Sequence, residues 1–462
     1  SEWYSQVIQK AKFADYTSVS GCMVIRPNAY AIWEKIQEIF NKKIKRLGHK
    51  NVYFPLFIPE HLFDKEKEHV EGFEPEVAWV ERAGAKKLEE RLAVRPTSET
   101  IFYESYAKWI RSHRDLPLLL NQWCSVVRWE FKHPKPFLRT REFLWQEGHT
   151  AHATREEAEK EALTILKEYI DLIENYLAIP VVAGKKTELE KFPGAEYTFT
   201  MEALMPSGRA LQMGTSHFLG QNFAKAFGIK FLDADGKKKY VWQTSWGIST
   251  RLIGAMVLVH GDDKGAIIPP KIAENKLVIV PIYFADSKKK VLEKCRELAK
   301  RLAEFNPVVD DREQYTPGWK FNEWELYGIP LRIELGPKDL QKKQAVLVRR
   351  DNNEKIVVPL SEIEGKVKET LETIQKALFE KAKKFLQENT VEVNNREEFL
   401  KAIKAGKMAY GYFCETPECE KAIKKQSAAT NRVIPLDQKE ADAKCFFCGK
   451  PAKRKSYFAR AY

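Results

Sequence analysis

The 25 residues from Val126 to Thr150, VVRWEFKHPKPFLRTREFLWQEGHT, set ten Arg, Lys, His or Glu among five Phe or Trp. A solvated loop has no use for Trp129, Phe131, Phe137, Phe143 and Trp145 together. A buried strand does not tolerate Arg128, Arg139 and Arg141. The pattern predicts two strands, 121–131 and 137–149, joined by the Pro-rich turn HPKP. Alternation then puts Arg128 and Glu130 on one face, opposite Val127, Trp129 and Phe131. It lines one face of the second strand with Arg139, Arg141, Phe143 and Trp145. Such a face suits a ligand with phosphates and a flat base, because guanidinium forks pair with phosphate or carboxylate and rings stack. A hairpin laced by ion pairs of Glu130 with Arg139 or Arg141 accounts for the same residues.

Around this segment lie 462 residues, 44% of them hydrophobic, enough for two to four domains with cores. No run approaches a membrane span, and the opening SEWYSQVIQKAK lacks an apolar signal segment, so a cytoplasmic protein without membrane contact is expected. The net charge is +13. From Lys401 to Tyr462, 14 Lys and Arg face 6 Asp and Glu, which suggests a nucleic-acid partner or a basic soluble surface.

Residues 27–47 read as an amphipathic helix through Ile32, Ile36, Ile39, Phe40 and Ile44, stopped by Gly48. NVYFPLFIP reads as an apolar strand broken by Pro55 and Pro59, an edge or interface position. Thr154 and Glu157 form a capping box opening a long helix. KKYVWQTSWGISTRLIGAMVLVHGD reads as a strand, a Gly turn and a helix carrying Arg251. After Pro270, strands LVIVPIYF, VVDD, PLRIEL and QAVLVRR alternate with helices at 287–305 and in GWKFNEWELYG, the grammar of a mixed-sheet α/β domain. A long helix follows at 361–389. The expected division is 1–270, 271–370 and 371–462. The first block has antiparallel-sheet grammar flanked by helices and lacks both GxGxxG and a P-loop, so any nucleotide is held without those devices.

Cys414, Cys419, Cys445 and Cys448 read C-x4-C, 25 residues, C-x2-C. Two close thiol pairs in a cytosolic chain indicate a closed structural zinc site. Two disulfides are the alternative.

Together these segments resemble the prolyl-tRNA synthetase family of class II aminoacyl-tRNA synthetases, of the eukaryotic/archaeal type with a C-terminal zinc-binding domain. Residues 26–59, VVRWE with RTREF, and WGISTR resemble the three class motifs. RPTSET at 95–100, GRALQMGTSHFLGQNF at 208–223 and PGWKFNEWELYGIPLRIELGPKD resemble prolyl-type segments, and the likeness runs from Trp3 to Tyr462. A threonyl-type sibling or a non-catalytic RNA-binding paralogue is the competing reading. The threonyl reading needs a Cys and two His around a substrate zinc, and Cys124 does not stand in such a motif.

The resemblance implies an α+β catalytic domain on an antiparallel sheet, an α/β anticodon-binding domain, a zinc domain and a homodimer. It implies formation of prolyl-adenylate from L-proline and ATP with Mg2+, then transfer to the 3′ end of tRNA(Pro). Arg128 would bridge the amino-acid carboxylate and the α-phosphate. Glu130 would meet the adenine amino group, Arg139 the distal phosphates, and Gln212 and Thr215 the nucleotide. Phe143 and Arg251 would sandwich the base. Thr97 and Glu99 would hold the proline nitrogen, and Trp145 and His217 would wall its ring. Glu325, Arg332 and Lys338 would read the anticodon, Cys414, Cys419, Cys445 and Cys448 would hold Zn2+, and Tyr462 would fold back toward the active site. Residue chemistry leaves other readings open: Thr97 as a helix N-cap, His217 as a core histidine, and the anticodon trio as a surface ion-pair cluster. About 120 residues separate the second and third motifs, too few for an inserted editing domain. Activation of alanine without hydrolysis in cis is therefore expected, because one methylene discriminates by only about 1–3 kcal/mol.

Overall fold

The computed structural model describes residues 2–67, 76–131 and 133–462. Among them, an eleven-stranded sheet organises most of the chain. Its centre runs Val182–Lys185, Tyr197–Leu204, Arg209–Gly220, Trp242–Ser249, Glu142–His152 and Leu118–Val127, each antiparallel to its neighbour. This is the expected antiparallel scaffold.

Alternation gives the sheet two unlike faces. Gln146, Gly148, Trp246 and Ser216 point back under the helix Arg155–Asp171, where Tyr169 donates to Gln146 Oε1 (2.8 Å) and Ser216 to the Ala162 carbonyl (2.8 Å). A Cβ at Gly148 would collide with the Trp246 ring, so only glycine lets the buried indole lie flat there. The helix Pro27–Arg46 covers the same face through Ile32, Trp33, Ile36, Phe40 and Ile44. Phe40 stacks on Tyr169 at 5.0 Å, and Trp33 meets Trp123 edge-on at 5.5 Å. Gly48, at φ +96°, ends the run as expected. Of the NVYFPLFIP segment only Lys50–Asn51 and Phe57–Pro59 pair as strands.

The opening segment departs from its expected form. The strands are Leu118–Val127 and Glu142–His152, so Arg128, Glu130, Arg139 and Arg141 lie in the connection and not on a strand face. Its backbone bonds explain why. Trp129 N–H donates to Glu76, Arg141 N–H donates to Gly21, and Pro134 and Pro136 have no N–H to give. The hairpin ion pair is not formed. Arg141 instead covers the Trp129 ring (4.4 Å) and donates to the Ser20 carbonyl. Two smaller expectations also change. The strand Trp242–Ser249 runs through Gly247 without a turn and passes directly into the helix Arg251–His260. At Thr154 the hydroxyl caps Glu157 N–H (3.2 Å) as expected, but the Glu157 side chain does not return a bond to Thr154 N–H, so only half of the box is made.

After Pro270 the mixed sheet appears, ordered Val308–Val309, Leu277–Pro281, Leu331–Leu335, Gln344–Arg349 and Lys355–Pro359. The first three strands are parallel and the last two antiparallel. Arg350, almost fully buried, grips Asp262, just beyond the helix Arg251–His260, with two bonds of 2.7 and 2.8 Å. The helix Ile363–Glu388 then leads back to the large sheet. There Thr390–Glu392, Met408–Phe413, Arg454–Ala461 and Ala429–Pro435 continue the same eleven strands, joined where Ile434 and Pro435 pair with Lys185 and Gly184. Tyr462 N–H donates to Ala210 (2.9 Å), and Lys135 lies over the Tyr462 ring.

Candidate active site

The front face of the sheet forms the floor of a cavity of about 320 Å³. Trp145, Glu147 and His149 stand two residues apart on one strand, paired with Ser249, Gly247 and Ser245 on the next. Thr215 and His217 follow on the third, opposite Gly247 and Ser245. Thr97, Glu99, Arg128, Phe143, Gln212 and Arg251 complete the wall. Nine of the expected residues thus converge, from segments far apart in sequence: Thr97, Glu99, Arg128, Phe143, Trp145, Gln212, Thr215, His217 and Arg251 line the space. Glu130 and Arg139 are exposed and outside the lining.

Arg128 is half-buried. Its Nε donates to the Pro96 carbonyl (2.9 Å), and its guanidinium carbon lies 5.5 Å from the Phe143 ring centre and 5.2 Å from that of Trp145. The charge is thus anchored at one nitrogen and flanked by rings, a geometry that limits where the fork can point. Arg251 donates to the Gln212 carbonyl (3.3 Å). Burial and the nearby Arg128, Arg432 and Arg139 push it down to about 10, opposed by Glu202, so it stays cationic at neutral pH.

The lining also carries the carboxyl groups of Glu99 and Glu147. Thr97 is not the N-cap of the helix Glu99–Trp109; Ser98 holds that position, and the Thr97 hydroxyl donates to the Glu99 carboxylate. Burial raises the Glu99 pKa and the Glu147 carboxylate raises it further, against His149 and Thr97. Glu147 was not anticipated from sequence. It accepts from Ser98 N–H (3.1 Å), Ser98 Oγ (2.7 Å) and Gln122 Nε2 (3.3 Å), and contacts His149 Nε2 at 2.8 Å. Burial would raise it, but bonds from His149 and Ser98 hold it below the usual range. Its signal was the i, i+2 step from Trp145, which also marks His149.

His217 is kept neutral. Loss of water, then the charges of His149, Lys186 and Arg128, bring it to about 3. Its ring nitrogens meet Thr198 Oγ1 (2.9 Å) and Thr215 Oγ1 (3.0 Å), and the Phe192 ring lies 4.6 Å away. One cavity therefore offers the cations Arg128 and Arg251, the carboxyl groups of Glu99 and Glu147, and apolar surface from Trp145, Phe192 and neutral His217. That set can hold a zwitterion beside a polyanion.

Two further clusters lie apart. Arg332 is buried and pairs with both Glu325 (3.1 Å) and Glu334 (2.9 Å), over the Phe321 ring. Glu325 also meets Lys264 at 3.2 Å, whereas Lys338 is exposed on the short helix Pro337–Gln341. Glu325 and Arg332 therefore form an ion-pair cluster, and Lys338 stands outside it.

Cys414, Cys419, Cys445 and Cys448 converge with all sulfurs within 4.8 Å of one another, and none is in a disulfide. Cys414 to Cys448 is 3.5 Å and Cys419 to Cys445 is 3.9 Å. Thiolates around a tetrahedral zinc stand roughly 3.8 Å apart, so the four fit that ion.

Comparison with known proteins agrees with this arrangement. The chain matches the tRNA synthetase class II core domain (G, H, P, S and T) over residues 79–260, an anticodon binding domain over 276–370, and the C-terminal domain of prolyl-tRNA synthetase over 396–462. It is 54% identical to a proline–tRNA ligase of Natranaerobius thermophilus and 55% identical to that of Ruminiclostridium cellulolyticum. A proline–tRNA ligase of Clostridium botulinum is 54% identical. Each alignment covers 100% of this chain and 96% of the relative. The chain belongs to the prolyl-tRNA synthetase family of class II aminoacyl-tRNA synthetases.

Proposed function

We propose that the chain is a ligase that activates L-proline with ATP and transfers it to tRNA(Pro). The observation that carries this is a single cavity lined by both Arg128 and Arg251 and by the Glu99 carboxyl group. In the first step the proline carboxylate attacks the α-phosphorus and pyrophosphate leaves. The two reactants repel each other, so catalysis consists of aligning them and stabilising charge on phosphate oxygens. Arg128 holds the carboxylate against the α-phosphate. Phe143 and Arg251 clamp the base, with Gln212 and Thr215 on the nucleotide, Arg139 on the distal phosphates and Glu130 at the adenine amino group. Thr97 and Glu99 take the ring nitrogen, and Trp145 and His217 close on the ring. The attacking carboxylate needs no base. In the second step the terminal ribose 3′-OH of tRNA attacks the carbonyl carbon of the adenylate, the ester forms as the anhydride bond to AMP breaks, and the departing phosphate takes the hydroxyl proton.

Among the described residues, the one group of three or more His, Cys, Asp or Glu able to hold an ion is the cysteine four. Mg2+, brought in with ATP, would supply charge neutralisation at its phosphates. The three-part division 1–270, 271–370 and 371–462 is supported by the three family segments, each of which falls within one part. Residues Glu325, Arg332 and Lys338 are proposed to meet the anticodon, which requires the Glu325–Arg332 pair to open. The homodimer is proposed to form through 26–59, where Tyr30, Tyr53 and Phe57 are exposed. Among the described residues no helix is long and apolar enough to cross a membrane.

Proline-dependent ATP–pyrophosphate exchange tests the activity, with alanine and threonine alongside. Proline must give the highest kcat/KM; a higher value with threonine would contradict the reading. Its pH dependence has a defined sign. A bound prolinium cation favours ionised Glu99, whose pKa is raised. As pH falls through that raised value the carboxylate is lost, so kcat/KM for proline should drop with an inflection above 4.5. In Glu99→Gln that inflection should vanish.

The cysteine cluster should hold about one zinc per chain, by the geometry of a closed four-thiolate site. Cys445→Ser should lose the metal and lower the melting temperature, because binding energy at such a site is folding energy. Metal analysis and calorimetry check both. Unchanged stability after zinc removal would show that the cluster is not structural.

A further inference from the structure

The cysteine module touches the cavity wall through one buried hydrogen bond. The Thr187 hydroxyl donates to Glu420 Oε1 at 2.9 Å, and both residues are nearly inaccessible to water. Glu420 lies on the helix Pro417–Ser427, one residue after Cys419. Thr187 opens the loop whose Lys186, Glu190, Lys191, Phe192 and Pro193 line the cavity, although neither Thr187 nor Glu420 lines it. The two segments are 233 residues apart and meet because the strand Ala429–Pro435 pairs with Val182–Lys185. That pairing is tight: a Cβ on Gly184 would strike the Ile434 carbonyl.

The loop is wound around Thr187. Its carbonyl accepts from Glu190 N–H (3.2 Å) and Lys191 N–H (3.0 Å). The next residue, Phe192, donates its N–H to Thr198 Oγ1 (3.0 Å), and the same oxygen meets His217 Nδ1 at 2.9 Å. Phe192 also packs its ring on His217. A displacement of Thr187 is therefore passed to Phe192 and His217, two walls of the apolar part of the cavity.

We propose that Glu420 is a positioning residue for the proline pocket, acting through Thr187 to hold the 186–193 loop against His217. This rests on the cavity being the proline site. The bond itself touches no residue assigned to the nucleotide, and the relay meets one, Thr215, only beyond His217. Its loss should move proline recognition and leave ATP recognition in place.

The test is proline-dependent ATP–pyrophosphate exchange on the full chain, with zinc content measured for each variant. Thr187→Val and Glu420→Ala should each raise the KM for proline about tenfold, the order expected for losing a buried hydrogen bond to a carboxylate. The KM for ATP and kcat should stay within about twofold. Thr187→Ser and Glu420→Gln, which keep the donor and the acceptor, should restore the wild-type KM for proline. The double variant Thr187→Val/Glu420→Ala should be no worse than either single one, because both remove the same bond. If Glu420→Ala loses zinc, Thr187→Val alone decides, since it lies outside the cysteine module. An unchanged KM for proline in Thr187→Val, equal rises for proline and ATP, or multiplied effects in the double variant would overturn the proposal. Absence of proline-dependent exchange in the wild type would instead overturn the reading of the cavity on which it rests.

Discussion

Replacing Arg128 with alanine should lower proline-dependent ATP–pyrophosphate exchange by about 10²–10³-fold, the loss seen when one preorganised donor to a developing charge is removed. The expectation comes from how the side chain is held. One nitrogen is spent on the Pro96 carbonyl, and Phe143 and Trp145 flank the plane. The fork is therefore pre-oriented toward the cavity rather than searching for its ligand. Lysine at 128 should recover little, because a point charge cannot bridge two anions with two parallel bonds. The deficit should fall mainly on kcat, with a smaller rise in the KM for proline, because the bridging contact is strongest when charge builds on phosphate. Steady-state exchange kinetics with both substrates varied checks this. A variant that lost only ATP affinity would assign Arg128 to nucleotide binding alone.

Replacing Arg432 with methionine should cost about 3–5 kcal/mol of stability, the usual consequence of leaving a buried charge without its partner. Arg432 belongs to the C-terminal strand Ala429–Pro435 and reaches Glu202, on the catalytic strand Tyr197–Leu204, with bonds of 2.7 and 3.1 Å to one oxygen. Glu202 is fully enclosed, and Arg432 is nearly so. Lys186 also approaches Glu202, at 3.5 Å, but burial lowers its pKa, so it compensates poorly. The double variant Glu202→Met/Arg432→Met should lose less than the two single losses added, since it removes both charges at once. Urea unfolding of the four proteins measures the coupling. Strict additivity would mean that the pair does not act as a unit.

The sequence showed some parts of this molecule plainly and hid others for physical reasons. The helix at 27–46 and the long helix at 363–388 carry strong 3.6-residue periodicity, and strand–helix alternation after Pro270 marked the mixed sheet, although Lys355–Pro359 was missed. Between Arg128 and Arg141 the alternation of apolar and charged residues imitates a strand. Backbone bonds to Gly21 and Glu76, which no local pattern reveals, make it a connection instead. The hairpin Ala78–Ala83 with Lys86–Val94 was also not anticipated. Its charged, mostly exposed residues give no clean two-residue period.

At the cavity, Thr97, Glu99 and His217 were reached only through the family resemblance, since residue chemistry alone left Thr97 as a cap and His217 as core, whereas Arg128 and Trp145 also stood out by residue type. Glu147 and His149 were legible in principle from their step after Trp145. The Glu420–Thr187 and Arg432–Glu202 contacts were not, because each joins segments more than 200 residues apart. The same is true of the C-terminal strands that extend the catalytic sheet. Strand partners chosen at long range leave no local mark.

The most direct test of the whole account is a crystal structure with a non-hydrolysable prolyl-adenylate analogue bound. The account predicts the ligand in the cavity between Glu99 and Arg251. The Arg128 guanidinium should lie within hydrogen-bond reach of both the prolyl carbonyl oxygen and the group replacing the α-phosphate. An analogue bound elsewhere, or bound here with Arg128 turned to solvent, would contradict it.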